Sequence, residues 1–214
     1  RQQQWYAIPA SVTLSLPQTK VRLEALHGLK SLKTIREVDL TGLAATQVDV
    51  RLTNFYEPRR FGLVGGNTHL HLMKMSYAEA LRYLDIVPNA DGLDLVFLSH
   101  LRRAEAERLY ISNEIVENAL NGQELDRLNE HGVVFGLGQE HRHNFGPGGE
   151  GFGHVMFLDI PRLIRPVSIG PGIMGQGTDQ QPLRVGIDQA HADGATVVWC
   201  HNRFGFEDVP NWIA

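Results

Sequence analysis

The chain has 214 residues, 43% hydrophobic and 21% charged, which is enough for one large domain or two small ones, and no stretch reads as disordered. A formal net charge of −4 without a Lys/Arg cluster excludes an electrostatic grip on nucleic acid, and no apolar run approaches the roughly 18 residues that span a bilayer. A single cysteine, Cys200, excludes an internal disulfide and a cysteine-rich zinc module, so the ten histidines carry most of the chemical information.

Residues 1–60 read as a small β domain. Alternating runs at Ser11–Leu16, Lys20–Ala25 and Thr46–Leu52 are separated by turn-like Pro17-Gln18, His27-Gly28 and Thr41-Gly42. Three or four antiparallel strands with one buried face, a small sandwich or the edge of one, are expected. His27 reads as a surface turn residue and Asn54–Arg60 as a connector. From Phe61 the rhythm becomes strand, helix, strand. A strand to Leu72 contains Gly65-Gly66-Asn67-Thr68-His69-Leu70-His71. Ser76 and Glu79 form a capping-box pattern that opens a helix to about Val87, with Ala80, Leu81 and Leu84 on its buried stripe. Gly92–Leu98 is nearly continuously apolar, as in a parallel strand covered on both faces, and ends at Ser99-His100. Residues 104–131 read as helical with a break at Asn121-Gly122. The strand Gly132–Gly138 ends at Gln139-Glu140-His141. After the glycine-rich stretch Asn144–Gly153, His154 heads the strand Val155–Leu158. A Pro/Gly-rich excursion covers 161–182, and a helix from about Leu183 to Asp193, stopped by Gly194, feeds the strand Ala195–His201.

His69 and His71 stand two apart on one strand and so point to the same side. Alone, His-x-His is a weak signal. It gains weight because His69, His71, His100, Glu140 and His201 all fall at carboxyl ends of expected strands, where catalytic groups converge in barrels of alternating strands and helices. His154, at a strand's start, reaches the same mouth if the glycine-rich loop folds back. Nitrogen and oxygen donors without thiolate suit Zn²⁺, Mn²⁺ or Fe²⁺. Glu140 can bridge two such ions through its two oxygens, and a hydroxide held between them is a nucleophile near neutral pH. Cys200 points to the opposite side of its strand from His201 and reads as core. His141 and His143 flank Arg142 and read as outer partners, substrate contacts or solvated loop residues. His131 fits a helix C-terminus favoured by the dipole, and His191 a helix surface.

Five motifs in order carry a family resemblance: Thr68-His69-Leu70-His71; Gly92-Leu93-Asp94 through Ser99-His100; Gly138-Gln139-Glu140; Gly153-His154; and Val197-Val198-Trp199-Cys200-His201. From about residue 62 to 209 the chain resembles the PHP superfamily of metal-dependent phosphoesterases and amidohydrolase-like enzymes, and within it the CehA/McbA-like metallohydrolases. A β-domain directly before the His-x-His strand is also similar to larger members of that group.

The resemblance implies an α/β fold, a distorted TIM-like β/α barrel over residues 61–214 behind a small β-sandwich-like domain over 1–60. It implies a metal-dependent hydrolase that directs a metal-bound hydroxide at an ester, amide or phosphoester bond of a small-molecule substrate. Carried over, His69, His71 and Glu140 hold one ion and Glu140, His154 and His201 a second. His100 belongs to a third ion or stands near the leaving group, and His100 or Arg142 assists the developing negative charge. The family slightly favours a periplasmic or secreted setting. Three departures stand out: Ser99 where the family has Asp, Met73-Lys74-Met75 where a further histidine belongs, and no closing Asp-x-His strand before Ala214. They argue for two ions rather than three. Together with Arg1 at the start, they suggest a processed product or fragment with further domain sequence beyond residue 214. The other readings are a non-catalytic metal- or carbohydrate-binding module on a degenerate barrel, and a metal-free sugar-binding or isomerase-like barrel.

Overall fold

The computed structural model describes residues 5–8, 10–101, 110–122, 128, 132–142, 154–165 and 183–200, with the backbone alone for Arg142. In the N-terminal region β1 (Lys20–Ala25) pairs antiparallel with β3 (Thr34–Asp39), and β2 (Ser31–Leu32) with β4 (Thr53–Asn54). Among the described residues the expected sandwich is not there. Ser11–Leu16 and Thr46–Leu52 form no strand, and none of the described residues before Leu72 is buried. Alternation along a run makes a strand only when an apolar face finds a partner, and two-stranded pieces are marginal alone. The segment leans instead on the first helix of the main body. The His27 ring meets the Asn89 carbonyl through Nε2 at 3.0 Å. Gly28, at φ +59°, lies so close to the turn after that helix that a Cβ would stand 2.1 Å from the Asp91 oxygen.

The main body is one five-stranded sheet in the order β5-β6-β7-β8-β9. β5 (Gly66–Leu70), β6 (Leu95–His100) and β7 (Val134–Arg142) are parallel. β8 (His154–Leu158) runs antiparallel to β7, and β9 (Thr196–Trp199) antiparallel to β8. The barrel expected from the resemblance is therefore corrected to a curled, mixed half-barrel, with three helices among the described residues. The reason is legible between β7 and β8. A parallel neighbour needs a crossover of a dozen or more residues, usually a helix, and the glycine-rich sequence after Arg142 has no helical periodicity. The chain reverses instead.

Three helices cover one face of the sheet: α1 (Tyr77–Ala90), α2 (Ile111–Leu120) and α3 (Leu183–Ala192). Ser76 and Glu79 form the capping box that opens α1, each side chain taking the other's backbone N–H. Ala80 and Leu84 of α1, Ile115 and Val116 of α2, and Leu183 and Ala190 of α3 pack onto Val96, Leu98, Phe135, Leu137, Val155 and Phe157. The opposite face carries a smaller apolar group, Met156, Leu158 and Cys200, with Phe97 and Val198 against it. That face is concave. His69 on β5 and His154 on β8 are three strands apart, about 14 Å in a flat sheet, yet their ring centroids lie 6.1 Å apart. Among the described residues no helix is long and apolar enough to cross a membrane.

Candidate metal centre

Strand parity decides which polar side chains meet. Leu70 and Leu72 pack into the helix-covered core, so His69 and His71 face the concave side. This parity depends on a bulge. Asn67 pairs with Val96 but Leu70 with Leu98, so β5 holds one more residue than β6 over that stretch. Without the extra residue the histidines would turn to the helices. The Asn67 side chain stabilises the irregularity, its Oδ1 accepting the His69 backbone N–H at 3.0 Å. On β7, Glu140 lies opposite Met156 and shares its concave face.

The three side chains converge on one point. The His69 and His71 Nε2 atoms lie 3.0 and 2.8 Å from the same oxygen, Glu140 Oε2. Glu140 is buried, and the two rings stand edge to face with centroids 4.9 Å apart. His71 Nδ1 is 3.0 Å from the Ser99 carbonyl. A carbonyl only accepts, so Nδ1 carries the proton, and a neutral ring then points the lone pair of Nε2 at a carboxylate oxygen. Acceptor facing acceptor at 2.8 Å is repulsive unless a positive charge sits among the three groups. That charge is either a proton on His71 Nε2, which makes the contact an ion pair, or one divalent ion that serves all three groups.

The distances fit that ion. Metal–nitrogen and metal–oxygen bonds of about 2.0–2.2 Å put adjacent donors about 2.8–3.1 Å apart at right angles and about 3.3–3.6 Å apart at the tetrahedral angle; the 3.0 and 2.8 Å observed match the first, and all the donor atoms lie within 4.8 Å of one another. The cluster of His69, His71 and Glu140 can hold a metal ion. The other carboxylate oxygen, Oε1, faces His154 Nε2 at 3.8 Å. His154 heads an antiparallel strand, so its start lies at the same end of the sheet as the carboxyl ends of β5 to β7, next to Arg142. The hairpin direction brings it to the site.

His100 goes elsewhere. It pairs with Gln139 in register and shares the helix-covered face of Leu98, where its Nε2 lies 2.9 Å from the Glu117 carboxylate of α2. One residue of parity separates it from the cluster, while its neighbour Ser99 lends the carbonyl that orients His71. The Ser99 hydroxyl itself is buried with no hydrogen-bond partner among the described residues. His141 is on the helix side too, fully buried beside Phe157 and under Gly186. The side chain of Arg142, all of His143 and His201, and hence their readings as site or loop residues, lie outside the described residues, as does His131.

Two further residues beside the cluster are not evident as site residues from the sequence. Tyr110, buried ahead of α2, stands edge-on to His71 at 5.5 Å between centroids. It reaches there through a bridge to Met73, a contact that leaves no local signature. Cys200, which reads as core, is buried and also places its sulfur 3.9 Å from His69 Nδ1. Its alternation with Val198 is the signal that could have found it.

Compared with family models and with curated proteins, the chain matches none.

Proposed function

We propose that this chain is a metal-dependent hydrolase acting on an ester, amide or phosphoester bond of a small molecule. The observation that carries the reading is the convergence of two imidazole nitrogens and one buried carboxylate oxygen on a single point at the open end of a half-barrel. Two histidines and a glutamate form a three-ligand set that leaves positions for water and substrate, as catalytic rather than structural zinc sites do. When bound, a divalent ion supplies Lewis acidity and lowers the pKa of a water molecule it holds. The chain's own residues supply the rest. The Ser99 carbonyl holds His71 in the tautomer that presents Nε2, and Glu140 offers the negative charge that balances the cation. The second carboxylate oxygen with His154 marks a position for a second ion, and the donor chemistry suits Zn²⁺, Mn²⁺ or Fe²⁺.

The test is metal analysis of the purified chain, followed by assays of chromogenic phosphoesters, carboxylic esters and amides with each of the three ions. Hydrolysis that depends on the ion and disappears in Glu140→Gln is expected. Stoichiometric metal without hydrolysis of any class would favour a non-catalytic metal-binding module, and absence of bound metal would overturn the reading altogether.

A further inference from the structure

We infer that Cys200 is a positioning residue for His69: its sulfur accepts the Nδ1–H and so keeps the Nε2 lone pair turned toward an ion shared with Glu140. The inference rests on the reading of His69, His71 and Glu140 as metal donors and adds to it the group that sets one ligand's tautomer.

The two histidines of the cluster are built alike. Each presents Nε2 to Glu140 Oε2, and each has a sulfur or oxygen atom at Nδ1. For His71 that atom is the Ser99 carbonyl oxygen at 3.0 Å; for His69 it is Cys200 Sγ at 3.9 Å, a long contact consistent with the larger radius of sulfur. Metal-binding histidines generally donate their second ring N–H to such an acceptor, which fixes the ring and raises its basicity as a ligand. A thiol is a weak acceptor, so its effect depends on being held in place. Cys200 is held twice. Its backbone N–H donates to the His154 carbonyl at 3.4 Å, continuing the pairing of β9 with β8. Its side chain is buried in the apolar group of Met156 and Leu158, with Phe97 and Val198 against it. The sulfur therefore meets the ring from a dry, fixed wall. It does not belong to the set of three donors that can share one ion, so its place is behind His69.

The experiment uses the full chain loaded with Zn²⁺ or Co²⁺ as the probe metal. In the Zn²⁺-loaded protein, long-range ¹⁵N–¹H correlations of the His69 ring are expected to report metal at Nε2 and a proton on Nδ1 that exchanges slowly with water. Cys200→Val keeps an apolar side chain of similar size but removes the acceptor, and should speed exchange of that proton. Cobalt affinity should fall about tenfold in that variant, the lower end of the effect of losing an outer partner, while the thermal midpoint of the metal-free protein stays close to that of the parent. The parent's cobalt spectrum should lack a sulfur-to-cobalt charge-transfer band. Metal on Nδ1 of His69 in the parent would overturn the proposal without recourse to any variant. So would unchanged proton exchange in Cys200→Val with affinity within twofold, or a charge-transfer band, which would make the sulfur a ligand. If the parent takes up neither ion, the metal reading fails and the inference with it; a parent that binds cobalt while Cys200→Val binds it equally well overturns the inference alone.

Discussion

At one end of a single sheet, histidines on the two faces meet opposite kinds of surroundings. On the helix-covered face His100 has a carboxylate of α2 at 2.9 Å, and His141 lies against the Gln139 amide and the Phe157 ring. On the concave face the Nε2 atoms of His69 and His71 both lie against one carboxylate oxygen. The first arrangement couples each histidine to its own neighbours, while the second brings three donor atoms to one point where a metal ion can sit. Polar groups that pair off separately are structural; metal-competent groups that crowd one point describe a ligand site.

The largest effect that should separate the faces is on metal affinity. Glu140→Gln keeps the shape of the side chain and removes its charge, and should weaken binding of Zn²⁺ or Mn²⁺ by at least about 100-fold, beyond what loss of an outer partner usually costs. Competition with a chromogenic chelator measures it. His100→Ala should do the reverse. It loses about 2–3 kcal/mol in denaturant unfolding, from a cavity beneath α2 and a lost charge-assisted hydrogen bond, with metal affinity within about twofold. An empty metal site in His100→Ala would erase the distinction between the faces.

A smaller effect sharpens the helix side. A Cβ on Gly186 would stand 2.1 Å from His141 Nε2, with two more ring atoms within 2.8 Å. Glycine to alanine in a helix ordinarily gains about 1 kcal/mol, but overpacking a core costs about 1–3 kcal/mol. Gly186→Ala should thus destabilise slightly, and His141→Ala in the same chain should restore the ordinary gain. The coupling appears in a double-mutant cycle of unfolding free energies; simple additivity would mean that the ring moves aside freely.

How much of the fold and the site is legible in the sequence depends on how local each signal is. The capping box at Ser76, the helix stop at Gly194 and the apolar run into His100 are local, and the structure has all three. The convergence of His69, His71 and Glu140 is legible as strand-end chemistry because those strands are parallel. Sequence position puts His100 in the same set, and only the face of the strand takes it out. Parity at β5 depends on a bulge whose extra residue is visible only against β6. The direction of β8 depends on a connection whose glycines signal a turn but not its sense. The Ser11 and Thr46 runs show the converse: alternation without a buried face to pack against is not a strand.

The smallest effect concerns the other end of the same strands. The Asp94 carboxylate accepts the Gly65 N–H at 2.9 Å and pairs with Arg59, while the Gly65 carbonyl takes the N–H groups of Asp94 and Leu95. These bonds tie the start of β5 to the start of β6 just upstream of the bulge. The Gly65 hydrogen bond first, and then that of Arg59, hold the Asp94 carboxyl below its ordinary value, against the opposing effect of burial. A folded-state value below the unfolded one contributes stability that is fully present above the ordinary carboxylate value of about 3.9 and is lost as pH falls through the folded value. Asp94→Asn should therefore lower stability by about 1 kcal/mol at pH 7, and the gap to the parent should narrow as the pH is taken below about 4, read from denaturant midpoints. Because the bulge is also held by Asn67, metal affinity in Asp94→Asn should change by less than about threefold, roughly 0.6 kcal/mol at 1.4 kcal/mol per tenfold. A tenfold loss would show that the anchor at Gly65, rather than the Asn67 bond, sets the parity of the two histidines.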